Sequence, residues 1–515
     1  MKINNLNLKY LMRAHTVLGL FALYFFYLAC FFGTITVFMP YVKSWESPSR
    51  HFVSIEENAK LDEIIPEIIK RNELTGVIDI SIPKVNEKAI GINDQQSKTI
   101  YIDPNTNKVL NIDFENNFLS NFFNAIHIGT NIPVIGRYLM GIASILMIFL
   151  AISGFIMWIN LKRKGTKKEK FWLKWHKNIT LLLLPFILVF CLTGAVLGFM
   201  LSTANPIVYS ATKTADTNLR ATVGPILFPK DKPVIETQNA KMMKISQLQN
   251  IAQKKYPTLQ ITNIKLFAWN DINAKARFIG YEKANRSITA RINRMYIEIS
   301  AVNGKVVATH NLETSTGANK ILSAFYFLHF ITDEGLLLRV IYFILGIIMT
   351  AGFAFGFLIY SEKKTLTKKR EDKNYYSILN KLSLSVMIGV IPSTALVMFL
   401  YWYFPMNMFE RTTWLTGCFY ALWAGTLLYA VYEENTLKVI NHYLLLGAIL
   451  LLLAVAFHGY QTTFYPWVSL SKGMYDIFFV DIVILLFAFS FYMFFKKSKN
   501  IQLLYKYDGD RYENK

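Results

Sequence analysis

A chain of 515 residues that is 53% hydrophobic and 15% aromatic is too apolar for an ordinary soluble enzyme of its length. Its net charge of +21 would suit nucleic acid, but the Lys and Arg cluster in short segments beside apolar runs. That placement speaks for membrane topology and excludes a nucleic-acid partner. The three cysteines, Cys30, Cys191 and Cys418, all lie inside apolar runs. They offer neither a disulfide framework nor a zinc pattern, and their expected role is apolar packing.

In chain order, runs long enough to cross a hydrocarbon core of about 30 Å fall at 16–39, 134–160, 179–201, 337–360, 378–402, 412–432, 439–459 and 475–495. They predict a mainly α, multi-pass membrane protein with about eight transmembrane helices. The first run follows Lys2, Lys9 and Arg13 but is longer than a signal-peptide core and lacks a small-residue cleavage site, so it predicts an uncleaved span. The chain then divides into transmembrane helix 1 (1–40), an outer domain (41–125) and helices 2 and 3 with a basic loop (126–201). A second outer domain (202–325), helix 4 (326–360), a further four-helix region (374–495) and a basic tail (496–515) follow.

LKRKGTKKEKFWLKWHK (161–177) carries eight Lys or Arg and one acid, and SEKKTLTKKREDK (361–373) carries six basic residues. The tail from Lys496 to Lys515 carries six more. With eight spans these blocks share one face, which the positive-inside rule makes cytoplasmic; both termini are then inside and both long loops outside. The blocks also suit anionic headgroups of the bilayer.

Each outer loop reads as a helix followed by strands, a small α+β domain. LDEIIPEIIKRN (61–72) precedes TIYIDPNTNKVLNI (99–112), and SQLQNIAQKKYP (246–257) precedes IEISAVNGKVVATHN (297–311). YIDPNTNKVL and EISAVNGKVV both alternate around a polar turn, a hairpin signature. The repeat continues in the apolar runs. His15 precedes Gly33 by 18 residues and His176 precedes Gly194 by 18; His127 precedes Arg137 by 10 and His329 precedes Arg339 by 10. Gly154-Phe155 and Gly356-Phe357 then stand 27 residues after His127 and His329, each followed by an aromatic, Trp158 or Tyr360. Span, outer domain and span thus occur twice, over 1–160 and 161–360, and 378–495 lacks the pattern.

The four histidines fall into two pairs: His15 and His176 at the cytoplasmic starts of spans 1 and 3, His127 and His329 just before spans 2 and 4. A histidine at a helix end is more often hydrogen-bonded than a ligand, and an arginine there is usually a snorkelling anchor. The combination of two same-side pairs in a duplicated frame, with few intramembrane carboxylates, favours a cofactor between facing helices. Neutral imidazole suits metal ligation, and two imidazoles on one iron is a common electron-transfer haem arrangement, so a bis-histidine haem is expected at each pair. Arg137 and Arg339 would meet the propionates of one haem and Arg13 those of the other. Copper fits less well, because no Cys or Met accompanies the pairs.

Other residues weigh less. His442 and His458 share one span and point to different faces, with structural or interfacial roles expected. His51 and His310 in the outer loops are expected to be solvated. Asp481 is the sharpest intramembrane acid and Asp476 lies nearer the outer face; a proton route and a hydrogen-bonded helix partner are equally open for Asp481. Pro185 is expected to bend span 3.

The frame R-x-H-x-x-x-G at 13–19, the H-x9-R pairs, W-H at 175–176, T-G at 193–194 and the paired hairpins resemble the PepSY-associated transmembrane family. The first repeat departs from it in carrying Gly33-Thr34, the reverse order. The resemblance covers about 1–360. It implies a bacterial inner-membrane protein with PepSY-like periplasmic domains and a duplicated four-helix haem-binding bundle holding two haem b groups. Its implied axial ligands are His15, His127, His176 and His329. It further implies electron delivery to a ferric chelate, a siderophore in iron uptake. No nucleotide-binding loop is seen, so electrons are expected from a cytoplasmic or membrane donor such as a quinol. The rival expectation is a non-redox transporter or assembly protein that binds a metal, chelate or peptide through the outer domains.

Overall fold

A computed structural model describes residues 4–53, 61–84, 87–94, 99–112, 117–162, 171–212, 234–236, 238–282, 288, 294–311, 313, 317–331, 335–367, 378–433 and 435–512. Most of both basic loops expected inside (163–170 and 368–377) and the segment 332–334 after His329 lie outside the described residues. The chain forms two compact units: Met1–Glu46, Phe114–Phe199 and Gly335–Lys515 make one, Ser47–Asp113 and Met200–Glu334 the other. Among the described residues, seven helices are long and apolar enough to cross a membrane, or up to eight if one bent pair counts as a single span. The protein is a multi-pass membrane protein.

In the helical unit α1 (Asn5–Thr36) starts at Asn4, whose side chain accepts the Asn7 amide at 2.8 Å, a cap for one of the orphan amides of the first turn. A short α2 (Met39–Trp45) follows, with Pro40 in its first turn. After the second unit's first contribution come α4 (Phe118–Ile128) and α5 (Gly136–Lys162). Gly129 ends α4 with φ +80°, a left-handed cap that a side chain would strain. The third apolar run is not one rod. It breaks into α6 (Phe171–Leu182) and α7 (Leu184–Thr212), bent by 67° between Phe171–Leu182 and Leu184–Phe199. Pro185 explains the break: it offers no N–H to the Leu181 carbonyl, and its ring pushes that carbonyl away. The next spanning helix is Leu336–Thr367, here α10. Contacts run from α1 to α5, α5 to α6, α6 to α10 and α10 back to α1, a ring of four helices in which α1 and α6 stand on a diagonal.

The C-terminal helices are α11 (Ile378–Tyr403), α12 (Arg411–Tyr432), α13 (Thr436–Thr462), α14 (Pro466–Ser471) and α15 (Tyr475–Tyr512). Expected as a separate addition, they share the compact unit of the ring. The link is polar and local. Residues Ser385–Gly389 of α11 form a π turn, which frees a carbonyl, and the Tyr27 hydroxyl of α1 donates to Met387 O at 2.7 Å. Tyr24 meets the Ser383 hydroxyl at 2.6 Å.

In the second unit the two loops expected as separate domains share one sheet. The first gives α3 (Leu61–Arg71), β1 (Val77–Ser81), β2 (Ile90–Asn93) and β3 (Ile100–Ile102). The second gives α8 (Ile245–Lys255), β4 (Leu259–Phe267), β5 (Lys275–Glu282), β6 (Met295–Ser300), β7 (Val306–His310) and α9 (Gly317–Phe330). The order is β3-β2-β1-β4-β5-β6-β7, antiparallel throughout. β1 and β4 pair from Val77↔Phe267 to Ser81↔Asn263. Alone, each loop would leave one of these strands as an open edge, a surface that invites pairing; joined, each edge satisfies the other. Ile78, Ile80, Ile90, Ile92, Ile264, Leu266, Phe278, Ile297 and Ile299 form the buried face together with Ile65 of α3 and Leu248 of α8. The two helices are tied by Asp62, which accepts from the Ser246 amide and hydroxyl. The hairpin at 297–311 forms as expected, while the 99–112 turn closes on a single bridge, Ile102↔Val109.

Candidate functional site

The ring of α1, α5, α6 and α10 carries the first histidine pair. His15 sits four turns before Ala29 on α1, and its Nδ1 lies 2.8 Å from the Ser153 hydroxyl of α5. Ser153 in turn donates to Leu150 O at 3.1 Å. On the diagonal helix α6, the His176 Nδ1 donates straight to Gly352 O of α10 at 2.8 Å. The two arrangements are one. Shifting the first repeat by 202 residues (His127 to His329) takes Leu150 to Gly352 and Gly154 to Gly356. The same backbone carbonyl therefore receives both imidazoles, directly in the second repeat and through a hydroxyl in the first.

Glycine lies under each ring. A Cβ at Gly356 would come within 3.1 Å of His176 Cε1, and one at Gly154 within 3.5 Å of His15 Cε1. His176 is also near enough to act on His15 electrostatically. Because a carbonyl oxygen can only accept, Nδ1 of His176 carries the proton and Nε2 the lone pair. That is the tautomer a metal takes, with its orientation fixed by the second bond.

His127 repeats the scheme at the far end of α1. It stands on α4, a separate short helix before its span, and donates Nδ1–H to Ala29 O at 2.7 Å. A Cβ on Gly33 would collide with this ring at 2.8 Å from both Cε1 and Nδ1, so the reversed Gly33-Thr34 keeps the glycine where the ring needs it. Although His127 precedes its span in sequence, α4 folds back beside α1 and sets the ring against Ala29–Gly33, well inside a helix that runs to Thr36. His329 occupies the matching place on α9 in the second unit, its ring edge-on to Phe330 at 5.1 Å. The structure thus brings His15 and His176 together within one unit, whereas His127 and His329 belong to different units.

The arginines differ in setting. Arg13 is exposed on the first half of α1, and Arg137 is half-buried in the first turn of α5. Arg339 is buried, its guanidinium donating to the Val37 carbonyl where α1 ends. Cations suit that end of a helix.

Two residues that sequence reasoning passed over support the site. Glu46, fully buried after α2, accepts from the Leu119 amide at 2.6 Å, the Ser120 amide at 3.2 Å and the Ser120 hydroxyl at 2.6 Å. It caps the helix that carries His127. Burial pushes its carboxyl up to about 7, against the pull of those hydrogen bonds. Ser153 is the other. Its only signal was a hydroxyl one residue before the repeated Gly-Phe.

Among the described residues no group of three or more His, Cys, Asp or Glu forms a site for a bare metal ion. Paired imidazoles on facing helices fit a haem iron, which brings its own equatorial ligands. The model of the PepSY-associated transmembrane region matches residues 12–363, more than half of the chain. The chain belongs to this family. The match takes in all four histidines and stops before α11, so the C-terminal helices lie outside what the family describes. Compared with curated proteins, the chain has no match.

The remaining histidines correct two expectations. His51, expected in solvent, is buried at 7% exposure because the short turn Pro48–Arg50 tucks it in. His310, also expected in solvent, stacks on Tyr296 at 5.3 Å across β6 and β7. Burial, then the Arg277 charge, holds its pKa below the ordinary value. His442, expected in a structural or interfacial role, bonds the Tyr429 hydroxyl at 2.5 Å.

Proposed function

We propose that this protein is a di-haem transmembrane electron-transfer protein that reduces a ferric chelate, a siderophore above all, on the outer side of a bacterial inner membrane. The observation that carries the proposal is the matched seating of His15 and His176 on diagonal helices. Each Nδ1 leads to the same repeat carbonyl, and each ring lies over a small residue. His15 and His176 would hold one haem b, and His127, seated against Ala29–Gly33, would be a ligand of the other. Arg137 and Arg339 would face propionates of the second, and Arg13 those of the first. Haem b, when bound, supplies a one-electron iron couple whose potential depends on axial ligands and burial.

The chain's own residues do the rest. Ser153 and the Gly352 carbonyl hold the imidazole tautomer and raise the basicity of Nε2. Glu46 holds α4, and α4 holds His127. The apolar ring keeps water from the site. Ferrous iron binds oxygen-donor chelators far more weakly than ferric iron, so reduction outside the membrane releases it. Electrons enter from a cytoplasmic donor or a membrane quinol.

The test is an absorption spectrum of purified protein, oxidised and dithionite-reduced, with haem quantified per chain. Sharp b-type bands near two haems per chain, reoxidised on adding a ferric chelate, are expected. A haem-free protein made with ample haem supply would overturn the proposal and favour a transporter or assembly role for the outer sheet.

A further inference from the structure

The C-terminal helices contain a second polar site that the family match does not reach. His458 of α13 and Asp481 of α15 are both at 0% exposure, with Nδ1 and Oδ1 3.1 Å apart. The same Oδ1 accepts the Trp45 indole N–H at 2.8 Å. The imidazole lies between two indoles, 5.0 Å from Trp45 and 4.9 Å from Trp402, which meet edge to face at 5.3 Å. Four elements therefore converge: α2, α11, α13 and α15.

Asp481 Oδ1 accepts the Trp45 indole N–H, the role of a carboxylate, and stands at ion-pair distance from the His458 ring. Such a carboxylate orients the ring and raises its basicity. Keeping a His and an Asp together inside a bundle is costly. The pair is least costly with one proton between the two side chains and no net charge.

The surroundings ask for the same proton. Among the described residues, the buried ionisable groups near this end of the helices include Glu46 at 0%, Asp476 at 5%, Arg339 at 4% and Arg411 at 5% exposure. Glu46 adjoins Trp45, and its backbone carbonyl accepts from Tyr401 at 2.6 Å. Arg411 lies over the Tyr401 ring at 4.2 Å and feels the Glu46 charge. Arg339 and Asp476 both act on Tyr41. Among the described residues, two buried guanidiniums thus stand beside three buried carboxylates, Asp481 included, with Lys43 also acting on Glu46.

We propose that His458 and Asp481 form an intramembrane proton-binding site that takes one proton from the aqueous phase beside α2 and α14, the outer phase by the positive-inside rule. The imidazole gains the proton at Nε2, no bond breaks, and Asp481 balances the charge. Glu46, with its raised carboxyl pKa, is the neighbour that competes for the same proton. The site is independent of haem.

The two indoles report on it, because an imidazolium quenches adjacent indole fluorescence more than neutral imidazole does. The experiment is a reversible pH titration of tryptophan fluorescence on the full-length protein in detergent, for wild type, His458→Gln, Asp481→Asn and Trp402→Phe. Wild type is expected to brighten as pH rises through one transition. That transition should vanish in His458→Gln, fall by about one pH unit or more in Asp481→Asn, and shrink in Trp402→Phe. If the two pair variants do not fold, wild type and Trp402→Phe still decide. No transition in wild type, or one of unchanged size and midpoint in every folded variant, overturns the proposal.

Discussion

Two kinds of histidine share this membrane unit, and their partners tell them apart. In the ring of α1, α5, α6 and α10, Nδ1 of His15 and His176 meets a hydroxyl or a backbone carbonyl, and His127 of α4 meets a carbonyl of α1. These partners are neutral, so they orient the ring without stabilising an imidazolium as a full charge would. In the C-terminal helices His458 lies beside a carboxylate and between two indoles, so its neighbour can carry a full charge. The first kind suits a ligand and the second suits a proton. Chemistry at a buried histidine follows what holds its far nitrogen.

The sharpest way to break this comparison is to remove one histidine of each kind. His176→Ala should abolish one of two b-type haem signals, whereas His458→Gln should leave haem per chain unchanged; a pyridine haemochrome assay reads both. Equal losses would erase the distinction. Gly33→Leu comes next. Its Cβ alone would stand 2.8 Å from His127, and overpacking of this kind costs about 1–3 kcal/mol. Loss of one haem signal with a lowered melting temperature is expected, while Gly425→Leu, at a glycine with open space around it, should change neither.

Glu46 gives a pH signature. Its folded-state pKa of about 7 lies above the ordinary 4.5, so the folded state holds the proton more tightly than the unfolded state. Stability from this group is fully present below pH 4.5 and is lost as pH rises through 7. The span of the effect is about 3 kcal/mol. Thermal unfolding followed across that window should show the decline in wild type and a flatter profile in Glu46→Gln. The smallest effect is expected from Ser153→Ala, which removes the hydroxyl link between His15 and Leu150 O. One hydrogen bond of about 1 kcal/mol corresponds to a shift of about 40 mV in a one-electron potential. Redox titration should detect it only in the haem that His15 would hold, since Ser153 bonds His15.

The spans, the two helix-plus-strand loops and the 202-residue repeat were legible in the sequence, because apolar runs, alternation and spacing are local signals. The spacing also pointed at the right glycines, Gly33, Gly154 and Gly356, before their purpose was known. What these glycines do was not legible: a seat for a ring on another helix is a contact between segments about 100 residues or more apart. For the same reason His458 and Asp481 were each noticed but not joined, since their pairing depends on how α13 and α15 rotate against each other. The break at Pro185 followed from its missing N–H. The fusion of two expected domains into one sheet did not, as nothing in the alternation of β1 names β4 as its neighbour.

That fusion has a consequence for synthesis and insertion. β1 is complete at Ser81, yet its partner strand begins at Leu259. Between them the chain makes α4, α5 and the bent pair α6 and α7. The nascent protein must therefore keep an unpaired strand edge waiting while two further spans enter the bilayer. A chain stopped after α7 would carry three strands with a hungry flank, the form most prone to stick to its neighbours. The seam between β1 and β4 acts as a clasp that can fasten only once about half of the protein is finished.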